Sequence, residues 1–415
     1  MTTTKNNEHK KLNVPNLRFP EFEGEWEKCT LGNLIKVQGG YAFKSEKFQK
    51  TGIPIIRISN LPQNASFVEL DDCVYYEKGK YDSFEVHKGD LLIAMSGATT
   101  GKTAIYNSNT LAYLNQRVGL FKSTNGECLY YPLLYAVVST PVFRNQLATR
   151  LIAGAQPNIS SSDIETIRIS IPQNNEQKKI AHLLSLLDER IATQNKIINK
   201  LQSLIKGLED NLLDNPLWEK TYLSSFMQFF STNSLSWEQL SYEEGEIRNL
   251  HYGLIHGFQT RGINSASLPM IKNEAVPKQY TLCQVGDVAF ADASEDTGEI
   301  AKSVEFVDTI EGDTICGLHT IHGRDIKNRT VVGFKGFAFN SRYFHNQIKR
   351  LAQGTKVFSI TSNNLSSCYV YLPDLETQKA IVKLLKAYEA QLLVSRKTLK
   401  QYENQKQYLL RQMFI

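Results

Sequence analysis

PQNNEQKKIAHLLSLLDERIATQNKIINKLQSLIKGLEDNLL (Pro172–Leu213) runs for about forty residues after its opening proline without a second one. Apolar residues fall at Ile180, Leu184, Leu187, Ile191, Ile198, Leu201, Ile205, Leu208 and Leu212, and Gln194 fills the one gap. Steps that alternate four and three are the signature of a heptad seam, so a helix is expected over 174–213. At 1.5 Å per residue it forms a rod of about 60 Å. LPDLETQKAIVKLLKAYEAQLLVSRKTLKQYENQKQYLLRQMFI (Leu372–Ile415) repeats the pattern at Ile381, Leu385, Tyr388, Leu392, Ser395, Leu399, Tyr402, Lys406, Leu409 and Met413. A second helix is expected over 374–415. Gln194 and Ser395 share one seam position, and a polar residue there costs stability but sets register. Lys406 departs from the pattern and is expected to mark a frayed point. If the two seams meet, the second helix returns antiparallel to the first, as a coiled coil.

The segments before the two helices are also alike. WEKCTLGNL (from Trp26) matches WEKTYLSSF (from Trp218). KGDLLIAMSGATTGKTAIY (from Lys88) matches VGDVAFADASEDTGEIAKS (from Val285), which sets Lys102 opposite Glu299. The run from Arg150 to Leu184 matches the run from Arg350 to Leu385, and it pairs Pro172 with Pro373 and Gln177 with Gln378. The offset grows slowly along the chain, as small loop insertions would cause. The chain is therefore read as an internal repeat. Strands are expected at Ile53–Ser59, Asp90–Met95 and Ile164–Ile171, and a helix at Tyr131–Ala148. The fold class is α+β. Two similar mixed α/β domains, 1–173 and 214–373, are separated by the two helices in a pseudo-two-fold arrangement.

Composition narrows the function. The chain has 415 residues, 41% hydrophobic and 21% charged, which describes a globular protein of more than one domain. The opening MTTTKNNEHKKLNVP lacks an apolar stretch and argues against a secretory signal. No run is long enough for a membrane span. Cys29, Cys73, Cys128, Cys283, Cys316 and Cys368 are scattered and read as reduced thiols of a cytoplasmic protein. A net charge of +5 permits nucleic-acid binding without arguing for it.

Catalytic motifs fail one by one. SGATTGKT (Ser96–Thr103) has Gly97 one residue too close to Gly101 for a phosphate loop. A loop cradling phosphates would not carry an acid in its twin, so Glu299 of the second copy, opposite Lys102, also argues against phosphate binding. NPLW (Asn215–Trp218) is similar to an amino-methyltransferase motif but lacks its second proline and reads as a turn. PDLE (Pro373–Glu376) stands too near Lys379 for a nuclease and reads as a helix cap. His319 with His322, and His251 with His256, have no carboxylate or cysteine at a usual ligand spacing. No catalytic residue, cofactor-binding residue or metal ligand is expected.

Recognition fits better. Two domains of one plan suit a job done twice on a rigid ligand, and duplex DNA with two half-sites is such a ligand. The loops offer the right chemistry, since Arg reads guanine edges, Asn and Gln read adenine edges, and Lys mostly positions on phosphate. In the first copy the candidate contacts are Lys44, Lys47, Arg57, Ser96, Thr99, Thr100, Lys102, Asn115, Gln116 and Arg117. In the second they are His256, Gln259, Thr260, Arg261, Asn264, Ser294, Thr297, His322 and Arg324.

Several stretches together resemble the specificity subunit of Type I restriction–modification systems: PNLRFPEFEGEW (Pro15–Trp26), KGDLLIAMSGATTGKTAI, the two EQKKIAHLLSLLDERI-type helix starts, DASEDTGEI (Asp292–Ile300) and YGLIHG (Tyr252–Gly257). The resemblance covers essentially the whole chain. It implies two target recognition domains that read the halves of a bipartite site on double-stranded DNA. It also implies helices that set the gap and dock two modification subunits carrying S-adenosylmethionine, with restriction subunits joining that core. The chain itself would be non-catalytic. The alternative is a tandem protein- or glycan-binding module joined by a structural coil.

Overall fold

The computed structural model describes residues 12–61, 67–124, 126–151, 158–258, 260–308, 310 and 312–415. They fall into two compact units, one reaching to Asn195 and joined by Thr398–Ile415, the other Lys196–Lys397. The unit boundaries cut both long helices, Asn174–Leu213 and Leu375–Gln412.

In the first unit, one sheet has the order Ile35–Gly39, Val118–Ser123, Leu91–Ala94, Thr103–Ile105, and all its neighbours are antiparallel. The other sheet has the order Val74–Tyr76, Ile53–Ile56, Ala112–Leu114, Glu85–Val86, with Ile53–Ile56 and Ala112–Leu114 parallel. LLIA (Leu91–Ala94) is wholly buried because it lies between two cores. Leu91 and Ile93 point into one and Leu92 and Ala94 into the other, as the period of two requires.

The second unit uses the same device. Val288 and Phe290 serve one core, and Ala289 and Ala291 serve the next. Its sheets run Met227–Phe230, Thr320–Asp325, Val288–Ala291, Ser303–Phe306, Gly262–Ile263, and Leu240–Ser241, Met270–Ile271, Arg248–Leu250, Thr314–Cys316. In the latter, Arg248–Leu250 and Thr314–Cys316 are parallel.

Each unit closes on an antiparallel ribbon that leads into a long helix. The ribbons are Glu27–Thr30 with Arg168–Ile171, and Glu219–Tyr222 with Tyr369–Leu372. A buried glutamine ties each helix start to its domain. Gln177 donates to the carbonyls of Pro172 (2.9 Å) and Cys128 (2.7 Å) and accepts from the Tyr130 amide. Gln378 donates to Pro373 and Arg329 (both 3.0 Å) and accepts from Val331.

The seam positions are buried or half-buried in both helices. In the first unit Ile180 and Leu184 share a core with Leu410 and Met413, and in the second Leu213 shares one with Ile381 and Leu385. Lys406 is not a frayed point, because its ammonium is paired with Asp188.

Three local expectations change. The strand expected at Ile53–Ser59 ends at Ile56, because Arg57 caps the 3-10 turn Ile58–Asn60 that follows. The helix expected at Tyr131–Ala148 is broken into Leu133–Ser139 and Pro141–Leu151. Pro141 has no amide to donate and pushes Thr140 into an extended conformation. The strand expected at Ile164–Ile171 is shortened to Arg168–Ile171, because Ser160 and Asp163 form a capping box that starts the short helix Ser161–Glu165.

Candidate nucleic-acid interface

Three loops of the first unit that the sequence singled out meet. The backbone of Tyr41, in the Gly39–Phe48 loop, accepts from the Gln116 amide (2.9 Å) and donates to Leu114. The Arg117 carbonyl accepts from Met95 at 2.9 Å, beside the loop that begins at Ser96. Gln116 and Arg117 are exposed, and Asn115 is half-buried. Lys44 and Lys47 are exposed at a short 3-10 turn on the Gly39–Phe48 loop. Arg57 is half-buried and donates to the Asp72 carbonyl at 3.1 Å.

The Ser96–Lys102 loop is a built turn. Thr100 Oγ1 donates to the Gly97 carbonyl at 2.6 Å, and the Lys102 amide donates to Thr99 at 3.0 Å. Glycine suits position 101, where φ is +83° and a Cβ would lie 2.7 Å from Leu147 Cδ2. Arg144 holds the turn from below through the Gly101 carbonyl (2.6 Å) and Thr103 Oγ1 (3.1 Å). Nothing in the loop sequence pointed to this arginine, which lies 43 residues from Gly101.

The same turn shows that the sequence match misplaced one pair. In the first unit the Gly101 amide donates to the Ala94 carbonyl, and Lys102 accepts from the Ala94 amide. In the second, Ala301 and Lys302 make those bonds with Ala291. Lys302, not Glu299, therefore stands where Lys102 stands, and the Glu299 argument against phosphate binding falls. Three extra residues in the second loop shift the register. The spacing failure at Gly97 is unaffected.

In the second unit the candidate residues divide into separate groups. His256, half-buried, has Nδ1 3.3 Å from Glu299 Oε2, and Lys302 Nζ lies 2.9 Å from the same oxygen. Burial works to raise the Glu299 pKa, yet the Lys302 and His256 bonds together hold it below the ordinary range. Ser294 and Thr297 belong to that loop. Ser294 Oγ accepts from the Asp296 amide (3.1 Å), and the Thr297 carbonyl accepts from His345 Nε2 (2.8 Å).

Arg261 is turned towards acids. Its amide donates to Glu389 Oε1 at 3.2 Å, and its guanidinium lies 3.8 Å from Glu209. Together they border a cavity of about 680 Å³. Thr260 Oγ1 donates to the Gly262 carbonyl, and Asn264 caps the turn Ser265–Ser267. His322 is 1% exposed, with Nε2 2.7 Å from Asp287 Oδ2, and Arg324 grips the same carboxylate through two nitrogens. His322 thus faces the domain interior and not a DNA surface. Gln259 lies outside the described residues.

Cys283, Cys316 and His322, which the sequence treated as unrelated, have ligand atoms within 4.8 Å of one another. No spacing signalled it, because 33 residues separate the two cysteines. The two segments read as structural do serve that purpose. Asp374 caps its helix through Thr377, and Asn215 makes a turn with Leu217 and Trp218. Among the described residues no helix is long and apolar enough to cross a membrane.

Known proteins share this design. A chain of Methanocaldococcus jannaschii, provisionally described as the type I restriction enzyme MjaX specificity subunit, is 26% identical over 96% of this chain and 95% of its own length. The type I restriction enzyme EcoAI specificity subunit of Escherichia coli is 29% identical over 200 residues, covering 46% of this chain and 32% of that one. The crystal structure of the Type-I restriction-modification system S subunit from M. genitalium matches with a TM-score of 0.59 at 16% identity, over 97% of this chain and 99% of that one. The family model described as the Type I restriction modification DNA specificity domain matches residues 23–203 and 317–404, more than half of the sequence. The chain belongs to the Type I restriction modification DNA specificity family.

Proposed function

We propose that this chain is the sequence-specific DNA-binding subunit of a Type I restriction–modification complex. The observation that carries the proposal is the convergence of the Gly39–Phe48, Ser96–Thr103 and Leu114–Arg117 loops in the first unit. They bring exposed lysine, arginine and amide groups to one part of a rigid sheet, as base and phosphate contacts require. The names of the relatives support the same reading.

Each domain reads one half of a bipartite double-stranded site. The correspondence between the Gln177 and Gln378 networks, and between the central strands Leu91–Ala94 and Val288–Ala291, supports an internal repeat with two readers. The buried seams on both helices support an antiparallel coiled coil that sets the gap between half-sites. In the first domain the candidate contacts are Lys44, Lys47, Arg57, Ser96, Thr99, Thr100, Lys102, Asn115, Gln116 and Arg117. In the second, His256, Thr260, Asn264, Ser294 and Thr297 are the better placed. The chain is non-catalytic. Two modification subunits dock on it and supply S-adenosylmethionine and the methyl-transferring site, and restriction subunits join them in the cytoplasm.

Base-resolution methylation mapping tests this, in cells carrying the chain with and without the partner subunits. A bipartite methylated motif that appears only when chain and partners are present together is the expected result. Methylation that does not depend on this chain would defeat the proposal.

A further inference from the structure

Cys283, Cys316 and His322 sit where the two sheets of the second unit meet. Cys316 ends the strand Thr314–Cys316 of one sheet, and His322 lies within Thr320–Asp325 of the other. Cys283 is joined to the first sheet through its amide, which donates to the Thr314 carbonyl at 2.8 Å. All three are buried.

Matching register positions in the first unit show what this region needs for packing alone. Leu114 pairs in parallel with Ile56 as Cys316 pairs with Leu250. Leu120 pairs with Leu92 as His322 pairs with Ala289. Val86 stands four residues before Asp90, as Cys283 stands four before Asp287. Val86, Leu114 and Leu120 form part of one apolar core. The second unit has exchanged all three for groups that bind soft or borderline metals. An imidazole in place of a leucine costs desolvation unless something compensates it.

We infer that Cys283, Cys316 and His322 form a zinc site that ties the two sheets of this domain together. Three features fit. The sulfurs are 3.6 Å apart, and two thiolates at 2.3 Å from a tetrahedral ion stand about 3.8 Å apart. One ring nitrogen of His322 is held by Asp287, which Arg324 anchors in turn. A carboxylate on the second nitrogen is the usual orienting partner of a metal-bound histidine. A cavity of about 160 Å³ borders Cys316 and His322 and is lined by Thr232, Asn233 and Thr281, with room for water as a fourth ligand. On binding, the two thiol protons leave to solvent and zinc takes the thiolates.

A disulfide fits worse. The bridge between Leu282 and Ile315 is antiparallel, so Cys283 stands diagonal to Cys316 across the pair. Diagonal neighbours are about 7–8 Å apart, whereas disulfides join Cα atoms about 4.4–6.8 Å apart.

The test uses the full chain, purified under reducing conditions without chelators from zinc-supplemented cells. Elemental analysis should find about one zinc per chain, and titration with Co2+ should give thiolate charge-transfer absorption that saturates near one equivalent. Cys283→Val with Cys316→Leu copies the packing of the first unit and should abolish both signals. Cys29→Ala with Cys128→Ala should leave both intact. Absence of zinc together with no cobalt–thiolate band in the unmutated chain would overturn the inference, whether or not any variant folds. So would signals that persist in the Cys283/Cys316 variant, signals lost in the Cys29/Cys128 variant, or a metal-free chain in which mass spectrometry finds Cys283 and Cys316 disulfide-bonded.

Discussion

Glu305 and Lys335 form an ion pair at 3.0 Å inside the second unit, with side chains 0% and 2% exposed. Glu305 also accepts from the Gly336 amide (2.8 Å), and Lys335 donates to Thr330 Oγ1 (2.9 Å). Burial pushes the Glu305 carboxyl up, and Lys335 opposes that. A buried pair earns little net stability, but breaking it strands a charge. Lys335→Met should therefore cost about 3–5 kcal/mol, while Glu305→Leu with Lys335→Met should cost far less. Urea unfolding of the three chains checks this. Equal losses in the single and double variants would show that packing, not the stranded carboxylate, sets the cost.

Glu389 supplies a pH dependence. Burial pushes its carboxyl up to about 7, with Arg261 opposing and Glu209 adding to the rise. The folded chain then holds a proton that the unfolded chain releases above about pH 4.3. Stability from this group is complete below that pH, falls as pH rises towards 7, and is level above it. Glu209 is raised in the same direction by burial, so it adds to the slope. Glu389→Gln should flatten the fall between pH 5 and 7, as read by denaturant midpoints at each pH. An unaltered slope would assign the effect elsewhere.

Arg117 is exposed beside the Ser96 loop. If it reads a guanine, Arg117→Ala should cost about 1–3 kcal/mol and relax one base position. If it holds a phosphate, affinity should fall evenly across sequences and the salt slope should drop by about one unit. DNA binding by the assembled complex at several salt concentrations separates the two. A chain unchanged in both would take Arg117 off the interface.

The two readers should be separable. Exchange of residues 20–170 for the same region of a relative should alter one half of the methylated site and leave the other half intact. Methylation mapping reads the outcome. A chimera with both halves changed would mean that the domains do not read independently.

The sequence by itself determined what depends on neighbours within a few turns of chain. The seam from Ile180 to Leu212 announced a helix, and the structure ends it at Leu213. The GDLLIAMS stretch announced a strand, found at Leu91–Ala94, because four apolar residues in a row must be covered on both faces. The motifs carrying the family resemblance were legible for the same reason, being contiguous. Tertiary structure decided whatever depends on register between distant segments. It brought Arg144 under the Gly101 turn and set Lys302, rather than Glu299, in the place of Lys102. It turned Arg261 towards Glu389 and enclosed His322 beside Cys283 and Cys316. A one-residue slip in strand pairing moves a side chain to the opposite face. No local pattern records that choice, which is made when the sheets close on their cores.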